Sequence, residues 1–315
     1  MNQPLVSVLF ITYNHKDFIR DSLTSTADQD YANLEIIVGD DGSSDGTADI
    51  VREIAAAYPA GRIIPIVDEG HLGITGNCNR VLRRCGGKYM TMFAGDDIML
   101  PGKIARQVAW MEEDERRVTC GHDVEIFRSE TNQSLGLFSS LTRFRSGRGA
   151  AMHVEHGLPF PPISQMFRMS AVPAGGFDDR LVLLSDWKFA VDVVAAGGEY
   201  GYVDGVYARY RRHENSALTL PFEQKYTDGM VNLALVESEY PALLNNAARS
   251  RRMWFLRWAI SLENRGRRRE ARQYLRTAFR GRMRFHWKAY AVALLLWMPS
   301  TWSRRLIARQ QVFPW

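Results

Sequence analysis

The sequence predicts an α/β fold: a mostly parallel sheet flanked by helices, followed by a helical C-terminal region. Three observations predict it. Apolar, β-branched runs alternate with segments of helical period from Val6 to Glu115. Two acidic pairs, Asp40-Asp41 and Asp96-Asp97, each follow directly on such a run. The charge also changes sign along the chain. Asn246 to Trp315 holds 17 Lys and Arg against Glu263 and Glu270, a formal +15, while the rest is −10, leaving +5 over 315 residues.

The elements follow in order. Val6–Thr12 is a strand, Asp17–Gln29 a helix through Phe18, Ile19 and Leu23, and Glu35–Gly39 a second strand ended by Asp40, Asp41 and Gly42. Asp45–Tyr58 reads as a helix stopped by Pro59, and Ile63–Val67 as a third strand. Thr75–Cys85 is a helix with Gly86-Gly87 beyond its end. Lys88–Ala94 is a fourth strand, and Pro101 opens a helix to about Glu115. Thr119–Phe127 is a strand, Ser129–Gly149 a polar loop, and Leu158–Pro162 extended. Ser185–Ala196 is a helix, Gly205–Arg211 a short strand, and Glu223 to about Arg280 helical, with Trp254, Phe255, Trp258 and Leu262 on one face.

Composition narrows the class. With 46% hydrophobic and 24% charged residues the chain is globular, not disordered, collagenous or disulfide-dense. Three cysteines (Cys78, Cys85, Cys120) lack metal-ligand spacing and fit a reducing compartment. The first apolar run has no basic leader and reads as a strand, not a signal peptide. Ligands of open α/β sheets bind at the carboxyl ends of strands, so both acidic pairs should open into one crevice.

A carboxylate at a strand end can accept the imide N–H of a nucleobase, and Asp40 is so placed; the alternative is capping of the next helix, which Ser43, Ser44 or Asp45 would do better. Thr12 and Tyr13, at the end of the first strand, are expected beside the base, or are ordinary strand residues. Two adjacent acids such as Asp96 and Asp97 are costly to bury without a cation. A hydroxyl nucleophile needs a base, and Asp186 opens a helix whose dipole favours its ionised form. Asp186 is equally a good N-cap.

These segments, Val6–Asn14, Ile36–Thr47, His71-Leu72-Gly73 with Asn79, and Phe93–Asp97, in this order and separation, resemble family 2 glycosyltransferases of the GT-A, Rossmann-like fold. Gly175-Gly176-Phe177-Asp178-Asp179-Arg180-Leu181 and Ser185-Asp186-Trp187 resemble the acceptor-side motif of the same family. The resemblance implies a nucleotide-sugar-binding half over 1–128 and an acceptor half over 129–221; the basic helical region over 222–315, read from charge and periodicity, lies outside it. It implies nucleotide-sugar contacts from Thr12, Tyr13, Asn14, Asp40, Asp41, Gly73, Asn79, Asp96 and Arg211. It implies Asp97 and His213 as ligands of Mg2+ or Mn2+, and Asp186 as the base of an inverting transfer from a nucleoside-diphosphate sugar to a glycan or lipid-linked hydroxyl. Two positions depart from the family pattern: Ala94, where a third acid often stands, and Ser185, where a Glu is usual. They motivate a catalytically impaired, sugar-nucleotide-binding scaffold as an alternative. A nucleotidyltransferase or dinucleotide enzyme would carry a Gly-rich loop after the first strand, and Thr12-Tyr13-Asn14-His15-Lys16 has no glycine. His15, His71, His122, His153, His156 and His286 lack partner spacing and receive no role.

Ala289–Ser303 is uncharged, too short to span a bilayer, and flanked by Arg304, Arg305 and Arg309. It reads as a helix lying in a membrane interface, or as a core helix closing the C-terminal bundle. The basic tail favours an anionic membrane surface over nucleic acid, and the expected setting is the inner face of the cytoplasmic membrane, in surface-polysaccharide or lipopolysaccharide assembly.

Overall fold

The computed structural model describes residues 3–141, 144–214 and 222–278. Contacts divide the chain into two compact units, Met1–His153 with Gly157–Thr219, and Val154–His156 with Leu220–Trp315.

The first unit is built on one mixed, mostly parallel sheet. Its elements are β1 (Val6–Thr12), α1 (Ile19–Ala27), β2 (Leu34–Asp40), α2 (Thr47–Ala57), β3 (Ile63–Ile66), α3 (Gly73–Leu82), β4 (Tyr89–Ala94), β5 (Ile98–Met99), α4 (Lys103–Glu112), β6 (Arg117–Arg128), β7 (Ser134–Leu137), β8 (Gly147–Arg148), α5 (Ala151–His156), β9 (Met166–Arg168), α6 (Ser185–Ala195) and β10 (Glu199–Arg212); α5 runs on into the second unit. The strand order is β3-β2-β1-β4-β9-β6-β10-β5, with β7 on β6 and β8 on β10. The β1, β2, β3 and β4 pairings are parallel; β9 runs antiparallel to β4 and β6. Val8, Phe10, Ile36, Val38 and Phe93 form the heart of the core, which explains why these strands read as near-continuous apolar runs.

Register sets the site. Thr12 pairs with Asp40, and Ile11 with Ala94. Three parallel strands therefore end level, and the residues that follow them share one edge of the sheet.

The structure corrects the sequence reading in three places. Ser129–Gly149 is not a plain loop, because it contains β7 and β8. All four β7 residues are exposed, so they show no alternation. β10 begins at Glu199, six residues before the expected Gly205. Its register on β6 shifts three times, which breaks the period of two. The C-terminal helical stretch is interrupted, as described next.

The second unit contains α7 (Phe222–Glu239), α8 (Leu244–Asn264) and α9 (Arg268–Ala278). Pro241 separates the first two, and Gly266, at φ 78°, turns the chain into the third. Leu256, Trp258, Ala259, Leu262, Ala271 and Leu275 form its core, with Tyr226 stacked on Trp258 at 4.8 Å. Part of the basic charge is neutralised inside this unit, as Arg249–Glu155 (2.8 Å), Arg251–Glu237 (2.6 Å) and Arg267–Glu270 (2.7 Å) show. Among the described residues no helix is long and apolar enough to cross a membrane. The Ala289–Ser303 segment lies outside the described residues.

Candidate functional site

The loops after β1 and β2 are clasped together. Asn14 N–H donates to Ser43 Oγ (2.8 Å), Ser44 N–H to Asn14 Oδ1 (2.9 Å), His15 N–H to Thr47 Oγ1 (2.9 Å) and Lys16 N–H to Asp45 Oδ2 (2.9 Å). Asn14 sits at φ 52°, a left-handed conformation that Asn tolerates better than most residues. Asp45 Oδ1 also accepts the N–H and hydroxyl of Thr47, the first residue of α2; the N-cap is Gly46, at φ 98°, so Asp45 ties down the helix start from one residue upstream rather than as the cap expected of it.

At the end of β2, Asp40 is buried and both its oxygens hold Ser43, one through the N–H (2.9 Å) and one through the hydroxyl (2.5 Å). The capping of the next helix weighed as the alternative for Asp40 is not what these bonds do: they close the turn at Ser43, four residues before α2 opens at Thr47. Asp41 is buried as well. Its Oδ1 accepts Leu72 N–H (2.7 Å), and its Oδ2 lies 3.0 Å from His71 Nδ1. Arg80, from α3, lies beneath; its guanidinium donates to the Asp40 carbonyl (2.7 Å), Asn77 Oδ1 (2.7 Å) and the Gly70 carbonyl (3.2 Å). Tyr13 is half exposed and faces His71, ring centroids 5.0 Å apart.

The end of β4 carries the second acidic pair. Asp97 Oδ1 accepts Arg211 N–H (2.9 Å), and Arg211 Nε donates to the Asp96 carbonyl (2.7 Å). Asp96 Oδ2 is 3.0 Å from His213 Nε2. Burial opposes the charge of Asp96, but the His213 hydrogen bond and nearby His15 outweigh it and hold the carboxyl below its ordinary range. Asp97 goes the other way: burial, then the charge of Asp96, pushes its pKa well up, against the pull of Arg211. His15 is held below the ordinary histidine range chiefly by burial, and its ring meets His213 edge-on at 6.3 Å.

Several expected residues therefore have other occupations. His213 faces Asp96 rather than Asp97, because Asp97 is turned toward the backbone of β10. Arg211 braces the turn, with its guanidinium 4.9 Å from the Phe18 ring and 4.8 Å from that of Phe127, and is buried. Asn79 straps α3 to the segment before α6. Its amide donates to the Phe177 carbonyl (2.8 Å) and Asp179 Oδ1 (2.8 Å), and its oxygen accepts Phe177 N–H (2.8 Å). Gly73 opens α3 at φ 74°, a conformation that glycine adopts without strain. Asp186 sits in the first turn of α6, half-buried, with Oδ1 accepting Trp187 N–H (2.7 Å). Thr75, on α3, reaches the same helix start through Ser185 Oγ (3.0 Å).

Three residues here were given no role from the sequence: His15, His71 and Arg80. Their partners include groups about 30 to 40 residues away, Thr47 for His15, Asp41 for His71 and the Asp40 carbonyl for Arg80, and no spacing along the chain announces those.

The donor set suits a hard dication. The protein leaves the Asp97 carboxyl disfavoured as an anion, and a cation would relieve that. Among the described residues no group of three or more His, Cys, Asp or Glu is disposed to hold a metal. The protein's share would thus be small, the rest falling to phosphate oxygens and water, as is usual where roughly one or two carboxylates hold Mg2+.

Comparison with known proteins gives this arrangement a lineage. The pattern of glycosyl transferase family 2 matches residues 7–172. An uncharacterized protein of Mycobacterium bovis is 28% identical over 227 residues, which is 71% of this chain and 62% of that protein, so the chain spans less than two thirds of that relative's length. The Escherichia coli UDP-Glc:alpha-D-GlcNAc-diphosphoundecaprenol beta-1,3-glucosyltransferase WfaP is 37% identical over 108 residues, 34% of this chain and 41% of the enzyme. Among solved structures, Staphylococcus aureus TarS 1–349 in complex with UDP superposes with a TM-score of 0.62 at 16% identity, covering 98% of this chain and 92% of that one. The mannosyltransferase PcManGT from Pyrobaculum calidifontis, in complex with GDP-Man and Mn2+, has a TM-score of 0.62 at 20% identity, covering 100% of this chain and 88% of that one. These two likenesses show the fold. With the family pattern over more than half of its length, the chain belongs to glycosyl transferase family 2.

Proposed function

We propose that the protein is an inverting glycosyltransferase that moves a sugar from a nucleoside-diphosphate sugar to a hydroxyl of a glycan or lipid-linked acceptor. The observation that carries this reading is the register of β1, β2 and β4, which sets Thr12, Asp40 and Ala94 level, so that both acidic pairs border one edge. WfaP, by its name, uses UDP-Glc and a diphosphoundecaprenol-linked acceptor, which supports a lipid-linked acceptor here. TarS bound to UDP and PcManGT bound to GDP-Man with Mn2+ support the donor class and the metal.

Residues 1–221 form the catalytic region, the donor bound by 1–128 and the acceptor by 129–221. Asp97 would hold Mg2+ or Mn2+, and His213 fixes Asp96 beside it. When bound, that ion neutralises charge developing on the diphosphate leaving group. The clasped loops after β1 and β2 keep Tyr13 and Asn14 in place for the donor. Asp186 accepts the proton of the acceptor hydroxyl as it attacks the anomeric carbon opposite the leaving group. Its place in the first turn of α6 favours the ionised form that this requires. The 222–315 region brings the enzyme to an anionic membrane face, at the inner side of the cytoplasmic membrane.

The test is release of nucleoside diphosphate from UDP- and GDP-sugars with Mn2+ and an acceptor, compared with EDTA. Asp186→Asn keeps size and capping ability and should cut turnover by about two to four orders of magnitude with donor binding unchanged. Donor binding with no turnover in the wild type would leave the scaffold reading that Ala94 and Ser185 suggest. The membrane reading requires binding to anionic liposomes that weakens steeply with salt.

A further inference from the structure

We propose that Thr75 is a positioning residue for the base: from α3 it fixes the start of α6, and through Ser185 it sets where Asp186 stands relative to the Asp40-Asp41 corner. The inference rests on the role of Asp186 above and adds the residue that holds it in place. α3 is stitched on two sides. Asn77 Nδ2 donates to the Gly39 carbonyl (2.9 Å) and Arg80 to the Asp40 carbonyl (2.7 Å), which ties one side to the end of β2. Thr75 and Asn79 stand four residues apart, hence on one face, and tie it to residues 177–185. Thr75 Oγ1 is 2.6 Å from the Leu181 carbonyl and 3.0 Å from Ser185 Oγ, while Asn79 holds both the N–H and the carbonyl of Phe177 (2.8 Å each). All four side chains are buried. Each must therefore keep its own partner, which fixes one geometry for the helix and for both of its neighbours. Cys78, on the same helix, feels both of them: burial raises its thiol pKa to about 12, and the charges of Asp186 and Asp41 add to the rise.

A hydroxyl carries one proton. The Leu181 carbonyl can only accept, so Thr75 donates to it and Ser185 donates to Thr75. The segment from Leu181 to Ser185 thus has both its ends on one hydroxyl, and Asp186 comes next. Its other neighbour, Trp187, is anchored as well, with the indole N–H donating to the His153 carbonyl (2.7 Å). Asp186 is half-buried between two buried, hydrogen-bonded residues, and its backbone cannot shift without breaking one of their bonds. A base needs such a hold, because a misplacement of about 1 Å can cost about a hundredfold in rate.

The test is release of UDP or GDP from UDP-glucose, UDP-GlcNAc and GDP-mannose by the full-length protein with Mn2+ and water as acceptor, beside calorimetric titration with UDP and GDP. Thr75→Val keeps the shape and removes the hydroxyl; turnover should fall about ten- to a hundredfold, with nucleotide affinity within about twofold of the wild type. Thr75→Ser keeps the hydroxyl and should return turnover to within about threefold. In the Asp186→Asn background, Thr75→Val should change the remaining rate less than about twofold, because the group it positions is already gone. A merely structural role would lower the rate by the same factor in both backgrounds, and that result overturns the inference. So does a Thr75→Val enzyme with wild-type turnover, or one whose nucleotide affinity falls in step with its rate. If Thr75→Val does not fold, Ser185→Ala cuts the same link from the α6 side and is judged by the same outcomes. Wild-type turnover in Asp186→Asn removes the base reading and this inference with it, while nucleotide binding keeps the donor reading. No release from any of the three donors by the wild type removes the transferase reading itself.

Discussion

The two acidic pairs look alike in sequence and live in opposite circumstances. Asp40 and Asp41 are saturated by the protein itself: backbone N–H groups of Ser43 and Leu72, the Ser43 hydroxyl and the His71 ring surround them, and Arg80 lies underneath. Asp96 and Asp97 are buried with fewer donors. One carboxyl is held down by His213, and the other is pushed up by burial and by its neighbour. The first corner is complete without a ligand and acts as a preformed wall. The second stores electrostatic cost that a cation can relieve. Adjacent acids after a strand are thus a signature of position only, and their partners decide what each pair does.

The largest effect expected from breaking this contrast is at Asp97. Asp97→Asn retains an oxygen for Arg211 N–H and loses the charge. Turnover should fall about a thousandfold, since a bound ion supplies several kcal/mol of charge stabilisation. Stability should move the other way. A carboxyl whose folded pKa lies above its unfolded one is destabilising when ionised, and that loss is recovered as pH falls through the folded pKa. In EDTA the variant should therefore melt above the wild type at pH 8, with the gap closing toward acid pH. A variant that transfers sugar at the wild-type rate would exclude Asp97 from the metal role.

Lys103 shows whether burial alone creates such cost. It is fully buried, donates to Thr91 Oγ1 (2.5 Å), and burial brings its pKa down to about 7. Arg80 has the Asp41 carboxylate 3.9 Å from its guanidinium, whereas the hydrogen-bond partner of Lys103 is a neutral hydroxyl. The unfolded lysine stays protonated to about pH 10.4, so between pH 7 and that value the unfolded state binds the extra proton and wild-type stability rises with pH. Lys103→Met removes that slope. In paired denaturant titrations its advantage over the wild type should grow as pH falls from 10 to 7, by on the order of a few kcal/mol, and stay level below 7. Parallel pH curves for the two proteins would contradict the buried, deprotonated state.

Asp41 should show the reverse balance to Asp97, affecting stability first. Asp41→Ala leaves Leu72 N–H without its acceptor and Arg80 without a nearby anion 3.9 Å away. A loss of about 2–3 kcal/mol is expected in thermal or denaturant unfolding. A variant as stable as the wild type would show that the corner does not depend on that carboxylate.

These contrasts also mark what the sequence could disclose. β1, β2 and β4 were legible because strands covered on both faces are almost wholly apolar, and the acidic pairs were legible because they interrupt those runs. β7 was not, because an exposed edge strand of Ser134, Leu135, Gly136 and Leu137 has no buried face to enforce alternation. Within the site, Asp40, Asp96 and Asp97 could be named from position. Their environments could not, because His213 reaches Asp96 across 117 residues and Arg80 reaches the Asp40 carbonyl across 40. Asn79 and Arg211 were expected at the ligand, and in the structure their polar groups also hold Phe177 and Asp96, contacts that the motif does not announce. A sequence motif does not separate a residue that touches substrate from one that supports the residue that does.

The smallest effect concerns the clasp that keeps the Asp40 corner formed without ligand. Asn14 contributes by two separable means: its backbone occupies φ 52°, and its Oδ1 accepts Ser44 N–H. Asn14→Gly keeps the backbone comfortable and removes the hydrogen bond. Asn14→Ala removes the hydrogen bond and adds the cost of a Cβ in the left-handed region, about 1 kcal/mol. Glycine gives part of this back by loosening the unfolded chain. The expected order of unfolding free energies is wild type above Gly above Ala, with each step about 1 kcal/mol or less. Nucleotide affinity should follow the same order, because a loosened clasp must be ordered on binding, whereas metal dependence of turnover should be unchanged in both variants. A shift in the metal requirement would mean that the two corners are coupled through the Thr12–His15 segment, where Thr12 Oγ1 and His15 Nδ1 lie 3.3 Å apart, and that the contrast between them is not independent.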